Sequence, residues 1–187
     1  KINDDVIALW SKILLTIPQA KLLLKSKEFD NKIINENILE KFKKKNINKN
    51  KIILIGSTNT RKDTLKIYNQ IDIALDPFPF QGNTSTCEAI WMGVPVLTLK
   101  GHRYLSHFGE SINSNLKMND WVAHDENDYI KKAKFFSSNI DKLIKIRENL
   151  RKVAIDSPVF DAKRFSKNFI QMLLKTWRDF KKLNIKN

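Results

Sequence analysis

Cysteine is all but missing from this chain. Cys87 stands alone among 187 residues, so no internal disulfide can form and a disulfide-stapled scaffold is excluded. Histidine is scarce too: His102, His107 and His124 lie apart, with no second cysteine or histidine at ligand spacing. The sequence therefore offers no metal centre. There is no run of about 18 apolar residues and no signal-peptide pattern, so no membrane partner is expected and a cytoplasmic location is. Neither G-x-G-x-x-G nor G-x-x-x-x-G-K-[ST] occurs, which removes the sequence basis for a dinucleotide site or a P-loop. No internal repeat is evident.

Acidic residues are in deficit. There are 20 of them against 34 lysines and arginines, a formal charge of +14. The lysines are spread over nearly every segment, mixed with asparagine and isoleucine, as a compositional bias would spread them. The densest run, Lys41–Lys51, holds one aromatic, Phe42, and that residue falls on the apolar side of a helical pattern. A solvated surface is expected there rather than a base-stacking platform, so a nucleic-acid partner is not favoured.

What is present is a hydrophobic content of 42%, enough for a core. Short apolar runs at Lys21–Lys25, Lys51–Ile55, Ile71–Leu75, Val94–Leu99 and, more weakly, Trp121–Ala123 read as strands. Between them lie helical patterns at Asp4–Leu15, Asp30–Lys45, Arg61–Gln70, Cys87–Met92, His102–Ile112, Glu126–Phe136 and Ile140–Ile155. The alternation predicts an α/β fold: a Rossmann-like parallel sheet flanked by helices. One domain is expected over 1–187, with the α/β core in 1–160 and a C-terminal helix and basic tail in 161–187. The last helix, Asp161–Lys182, carries an apolar stripe that is expected to be exposed.

One stretch has unusual chemistry. After the strand ending at Leu75, Pro77 and Pro79 force an irregular connection. Gly82 relaxes the backbone, and Asn83, Thr84, Ser85 and Thr86 supply hydroxyls and an amide ahead of a helix from Cys87 to Met92. In isolation these residues suit an ordinary helix cap. Placed at the carboxyl end of a strand, a helix start rich in free N–H groups suits an anion. Glu88, one turn in, has a bland reading as a solvated first-turn acid, and Asp76 one as a loop brace.

These residues carry a resemblance. Leu75–Leu99, LDPFPFQGNTSTCEAIWMGVPVLTL, is similar to the core signature of the O-linked N-acetylglucosamine transferase family, including its SPINDLY-type and bacterial tetratricopeptide-linked members. Lys1-Ile2 with Trp10, Ile13-Leu14 and Ile17-Pro18 resembles a further family segment. So do Ser106 with Gly109-Glu110-Ser111, the stretch from Arg147 to Asp161, and Trp177. The resemblance implies the C-terminal, donor-binding half of a GT-B glycosyltransferase. It places the N-terminal half, tetratricopeptide repeats and the opening strand of this half before Lys1.

The same resemblance implies a UDP-sugar donor, UDP-N-acetylglucosamine first, transferred without a metal cofactor to serine or threonine of a protein acceptor. Asn83, Thr84, Ser85 and Thr86 would hold the diphosphate and Glu88 the ribose. Lys1 would be the catalytic residue, pairing with the phosphates as UDP departs. The Gly56–Asn59 loop, with Asn59, and the residues from Thr64 to Tyr68 would border the uracil. The family often has histidine where Thr64 and Asn83 stand and arginine where His107 stands. An N-glucosyltransferase or another GT-B enzyme using a different donor or acceptor is the alternative within the class. A non-catalytic basic module that binds nucleic acid or protein is the alternative outside it. The isolated fragment is expected to transfer no sugar.

Overall fold

The computed structural model describes residues 2–184. Asn3 opens the first helix, α1 (Asp4–Thr16), its side chain accepting the Val6 N–H at 2.8 Å. Val6, Ile7, Trp10, Ile13 and Leu14 recur at helical spacing and are all buried. The chain continues through β1 (Leu22–Lys25), α2 (Lys32–Lys43), β2 (Ile52–Ile55), α3 (Arg61–Lys66) and β3 (Ala74–Leu75). It then forms α4 (Thr84–Trp91), β4 (Val96–Leu99), α5 (Phe108–Asn115), β5 (Val122–Ala123), α6 (Glu126–Ser138), α7 (Ile140–Ile155) and α8 (Ala162–Asn184). The α/β class expected from the alternation is the class observed. Each of the five expected strand segments contains a strand.

Several boundaries differ from expectation, each for a local reason. The pattern predicts one helix over Asp30–Lys45, but Asn31 caps α2 by accepting the N–H groups of Ile33 and Ile34, so Lys27–Asp30 stays a separate 3₁₀ turn. The helix predicted over Arg61–Gln70 tightens into a 3₁₀ turn at Ile67–Gln70 before β3. In place of a helix over His102–Ile112 there is a 3₁₀ turn at Tyr104–Ser106 and then α5. Most consequential, α4 starts at Thr84 rather than Cys87, so Thr84, Ser85 and Thr86 form its first turn.

The strands are parallel but do not form one sheet. β1 pairs with β2, Leu22 opposite Ile52. β3, β4 and β5 form a second sheet, with Ala74 opposite Val96 and Thr98 opposite Val122. The single sheet expected from the sequence is thus divided, because β1 and β3 are not hydrogen-bonded to each other.

Helices cover both sheets. One core cluster joins α1, α6 and β1 with Phe42, Trp121 and Phe136, whose last two rings stack at 3.8 Å. A second joins α4, α5 and α7 around Ile90, Val96 and Leu150. Phe42 is fully buried while Lys41, Lys43, Lys44 and Lys45 around it are exposed, which matches the solvated reading of the basic run. The stripe on α8 is exposed as expected, including Phe165, Phe169, Leu173 and Trp177. Among the described residues no helix is long and apolar enough to cross a membrane.

Candidate functional site

The loop from β3 to α4 is built on buried polar groups. Asp76, 3% exposed, ends β3 by donating its N–H to Leu97 O at 2.9 Å. Its Oδ1 accepts the Gly82 N–H at 2.7 Å and its Oδ2 the Thr98 hydroxyl at 3.2 Å. Gln81 is fully buried: its Nε2 donates to Leu99 O at 2.6 Å and its Oε1 accepts the Gly109 N–H at 2.7 Å. Two side chains therefore tie this loop to β4 and to the start of α5. Burying such groups is tolerable only because each finds a partner.

Three further contacts steady the proline segment, whose Phe78–Pro79 bond is cis. Ser106 Oγ donates to Pro79 O at 2.7 Å, Asn3 Nδ2 donates to Phe78 O at 3.4 Å, and the Gln81 N–H reaches Leu105 O at 3.3 Å. Gly82 allows the close approach. A Cβ there would lie 2.6 Å from both Ser85 Oγ and Thr86 Oγ1 and 2.9 Å from Asp76 Oδ1.

Above this bracket the chemistry changes. Asn83, Thr84 and Ser85 are exposed. The first backbone bond of α4 runs from the Cys87 N–H to Asn83 O at 3.0 Å. Among the described residues no acceptor meets the N–H groups of Thr84, Ser85 or Thr86, and Asn83 makes no side-chain cap. Asn3, Asn31, Thr60 and Asp125, by contrast, do cap their helices. The start of α4 thus presents unmet donors and the positive end of a helix dipole. Thr86 is 3% exposed, so its hydroxyl faces the bracket rather than the rim.

The flank is formed by α3 and the loop before it. Tyr68 Oη donates to Ser85 O at 3.3 Å, joining α3 to the first turn of α4. Burial, and then the neighbouring Glu88 carboxylate, push its phenol up to about 12, so it remains a donor at neutral pH. Glu88 pairs with Arg61 Nη2 at 2.8 Å, with 19% of the Glu88 side chain exposed. The same burial and carboxylate raise the Cys87 thiol, which keeps it protonated. Thr64 shares a hydrogen bond of 2.6 Å with Thr58, and Asn59 is exposed on the bend before α3. Ser57 donates both its N–H and its hydroxyl to Asp30, which lowers that carboxyl. Lys1 lies outside the described residues.

The structure brings Asn83, Thr84, Ser85 and Glu88 to one rim and sets Asn59 and Thr64 on the adjoining α3 side. Gln81, Thr98 and Arg61 are missed by sequence reasoning. Gln81 carries a weak signal, a lone amide between apolar and glycine positions after a proline-rich turn. Another group lies beyond β4, where Glu110 accepts from Lys100 Nζ at 2.6 Å and is 2.7 Å from His107 Nδ1. Those two partners hold the Glu110 carboxyl below its ordinary range.

A probable UDP-N-acetylglucosamine–peptide N-acetylglucosaminyltransferase SPINDLY from Solanum lycopersicum is 28% identical over 180 residues, covering 96% of this chain and 19% of that protein. Its counterpart from Hordeum vulgare is 29% identical over the same share of each. The chain thus spans about a fifth of the length of these relatives. A solved structure, the K341M mutant of Thermobaculum terrenum O-GlcNAc transferase, superposes with a TM-score of 0.90 at 29% identity. It covers 95% of this chain and 34% of that one. The model of glycosyl transferase family 41 matches residues 1–169, and the chain belongs to that family.

Proposed function

We propose that this chain is the nucleotide-sugar-binding part of a glycosyltransferase that moves N-acetylglucosamine from UDP to serine or threonine of a protein. One observation carries the reading: α4 opens with three N–H groups that meet no acceptor among the described residues, beside the exposed Thr84 and Ser85 and over a buried bracket. A diphosphate supplies the acceptors these donors lack. Glu88 then takes the ribose hydroxyls, exchanging its contact with Arg61 for them. Asn59 and Thr64 border the base. Lys1 pairs with the phosphates.

Sugar transfer develops negative charge on the departing UDP. Fixed donors at a helix start stabilise that charge without rearranging, and one such donor is typically worth about 3 kcal/mol in the transition state. The acceptor hydroxyl and any base come from outside this chain, so the chain alone binds UDP weakly and transfers nothing. The remaining partners follow from the same reading: an N-terminal half, with tetratricopeptide repeats ahead of it.

Calorimetry against UDP, UMP and a short DNA duplex tests the proposal. The expected result is a UDP signal stronger than that of UMP, weakened by salt far less steeply than duplex binding would be. Duplex binding that falls steeply with salt, without a UDP signal, would replace this reading with a nucleic-acid module. Donor hydrolysis by the full-length protein across several UDP-sugars identifies the sugar and separates the N-glucosyl alternative.

A further inference from the structure

The far end of the sheet carries a groove that the reading above does not use. The rim of α4 follows the carboxyl end of β3, and β3, β4 and β5 run parallel, so the turn from Leu116 into β5 lies at the opposite, amino end. Between that turn and α7 is a groove of about 760 Å³. Its floor is apolar: Leu116, Trp121, Phe136 and Leu150 line it and are each 2% exposed. Its lip is exposed and basic, with Lys117 on the turn and Lys142 and Lys145 on α7. Among the described residues none of these three lysines meets a carboxylate, and Asp120 is the one acid lining the groove. The Lys142 ammonium lies over the Phe135 and Phe136 rings, 5.0 and 5.7 Å from their centroids, which keeps a cation above the floor. Lys117 has a φ of +58°, a left-handed turn position that glycine fills with less strain. The turn alone needs no lysine there.

We infer that this groove docks a short acidic segment of a partner protein. One or two apolar side chains of the segment sit on the floor, and its carboxylates meet Lys117, Lys142 and Lys145. The shape sets the length. Lys142, Lys145, Asn149 and Val153 recur every three or four residues on α7 and all line the groove. The helical rise from Lys142 to Val153 is about 16 Å, the span of about five extended residues. Charge sets the sign, and it argues against a second copy of this chain. The apolar stripe that α8 exposes is flanked by seven lysines and arginines and one aspartate, so this basic lip repels it. A nucleic acid finds no stacking platform, because Trp121 and Phe136 stack on each other and are buried. A membrane surface calls for protruding apolar groups, and those of the floor are recessed. The inference is independent of the UDP chemistry.

Fluorescence anisotropy tests it, with a fluorescein-labelled peptide of six acidic residues around a central phenylalanine and leucine. The peptide is titrated with the full-length protein and with the 187-residue chain. Saturable binding is expected, weakened by ~10-fold or more in the double variant Lys142→Glu, Lys145→Glu. Val153→Asp, which sets a carboxylate at the lip, should weaken it by about fivefold. The control Lys44→Glu, Lys45→Glu makes the same change of charge on the exposed basic run and should leave affinity within about twofold. Serine in place of the peptide's two apolar residues should cost about tenfold. Every substituted residue is exposed, and thermal melts establish that each variant folds. Equal weakening by the two double variants, or no loss with the serine peptide, reduces the binding to general attraction and overturns the inference. No saturable binding up to millimolar peptide also overturns it. So does binding of phosphatidylserine vesicles or a DNA duplex through Lys142 and Lys145 in place of the peptide, and so does self-association of the chain that Lys142→Glu abolishes.

Discussion

Two layers only a few residues apart, the bracket beneath α4 and the rim above it, use similar polar groups to opposite ends. In the bracket, Asp76, Gln81 and Thr98 are buried, Asp76 bonded to Gly82 and Thr98 and Gln81 to Leu99 and Gly109. On the rim, Asn83, Thr84 and Ser85 are exposed beside helix N–H groups that meet no acceptor among the described residues. The difference is one of bonding state rather than composition. Satisfied polar groups fix geometry, and unmet ones in a fixed geometry are what remain for a ligand.

The comparison breaks most severely from below. Gly109→Ala would place a Cβ 2.6 Å from Asp76 Oδ2 and 2.7 Å from Thr98 Cβ. With both neighbours buried and bonded, a loss of about 3 kcal/mol is expected, read by urea denaturation. Asp76→Ala removes a charged acceptor from the Gly82 N–H and the Thr98 hydroxyl. It should cost roughly 2–3 kcal/mol and weaken UDP binding along with stability.

The rim should behave in reverse. Thr84→Ala and Ser85→Ala are expected to change stability by under about 0.5 kcal/mol. UDP affinity should nevertheless fall by about tenfold each, as one hydrogen bond to a charged group is lost. If both quantities moved together, the distinction between layers would be lost.

Two smaller effects sharpen the picture at the edges. Glu110 has a folded-state pKa below its ordinary 4.5 because Lys100 and His107 hydrogen-bond its carboxylate. Its contribution is therefore complete above that ordinary value and lost as pH falls through the lower folded value. The stability gap between the wild type and Glu110→Gln, measured by thermal melts across pH, should be flat near neutrality and shrink below about pH 4.5. Arg61 has 72% of its side chain exposed, so Arg61→Ala should alter stability by no more than about 0.5 kcal/mol. It would free Glu88, and any change in UDP affinity on that substitution reports the exchange of partners proposed for ribose binding.

Local pattern makes much of this molecule legible. Ile140–Ile155 follows directly from an apolar period sustained over four turns, and the strand, loop and helix order around Leu75–Leu99 follows from proline, glycine and branched residues. The start of α4 is not legible to the residue, because Thr84–Thr86 suit a cap and a first turn equally. Nor is the bracket: Gln81 acquires its role from Leu99 and Gly109, 18 and 28 positions away, and no local spacing encodes such pairings. The division of the sheet is hidden for a similar reason. Ile71 and Ile73 have the composition of a paired strand, but the Ile71 N–H closes the preceding turn on Tyr68 O and its carbonyl accepts from Arg147, so β3 is limited to Ala74–Leu75.

Tyr129 gives this architecture its own spectroscopic gauge. Its ring is fully buried, and its hydroxyl reaches Asp76 O at 3.4 Å, just past the end of β3, and Leu97 O at 3.3 Å, within β4. Burial raises its ionisation far beyond the ordinary phenol range. In an alkaline titration followed by tyrosinate absorbance, this ring stays silent until the strands part, so its late ultraviolet step marks the opening of the sheet itself.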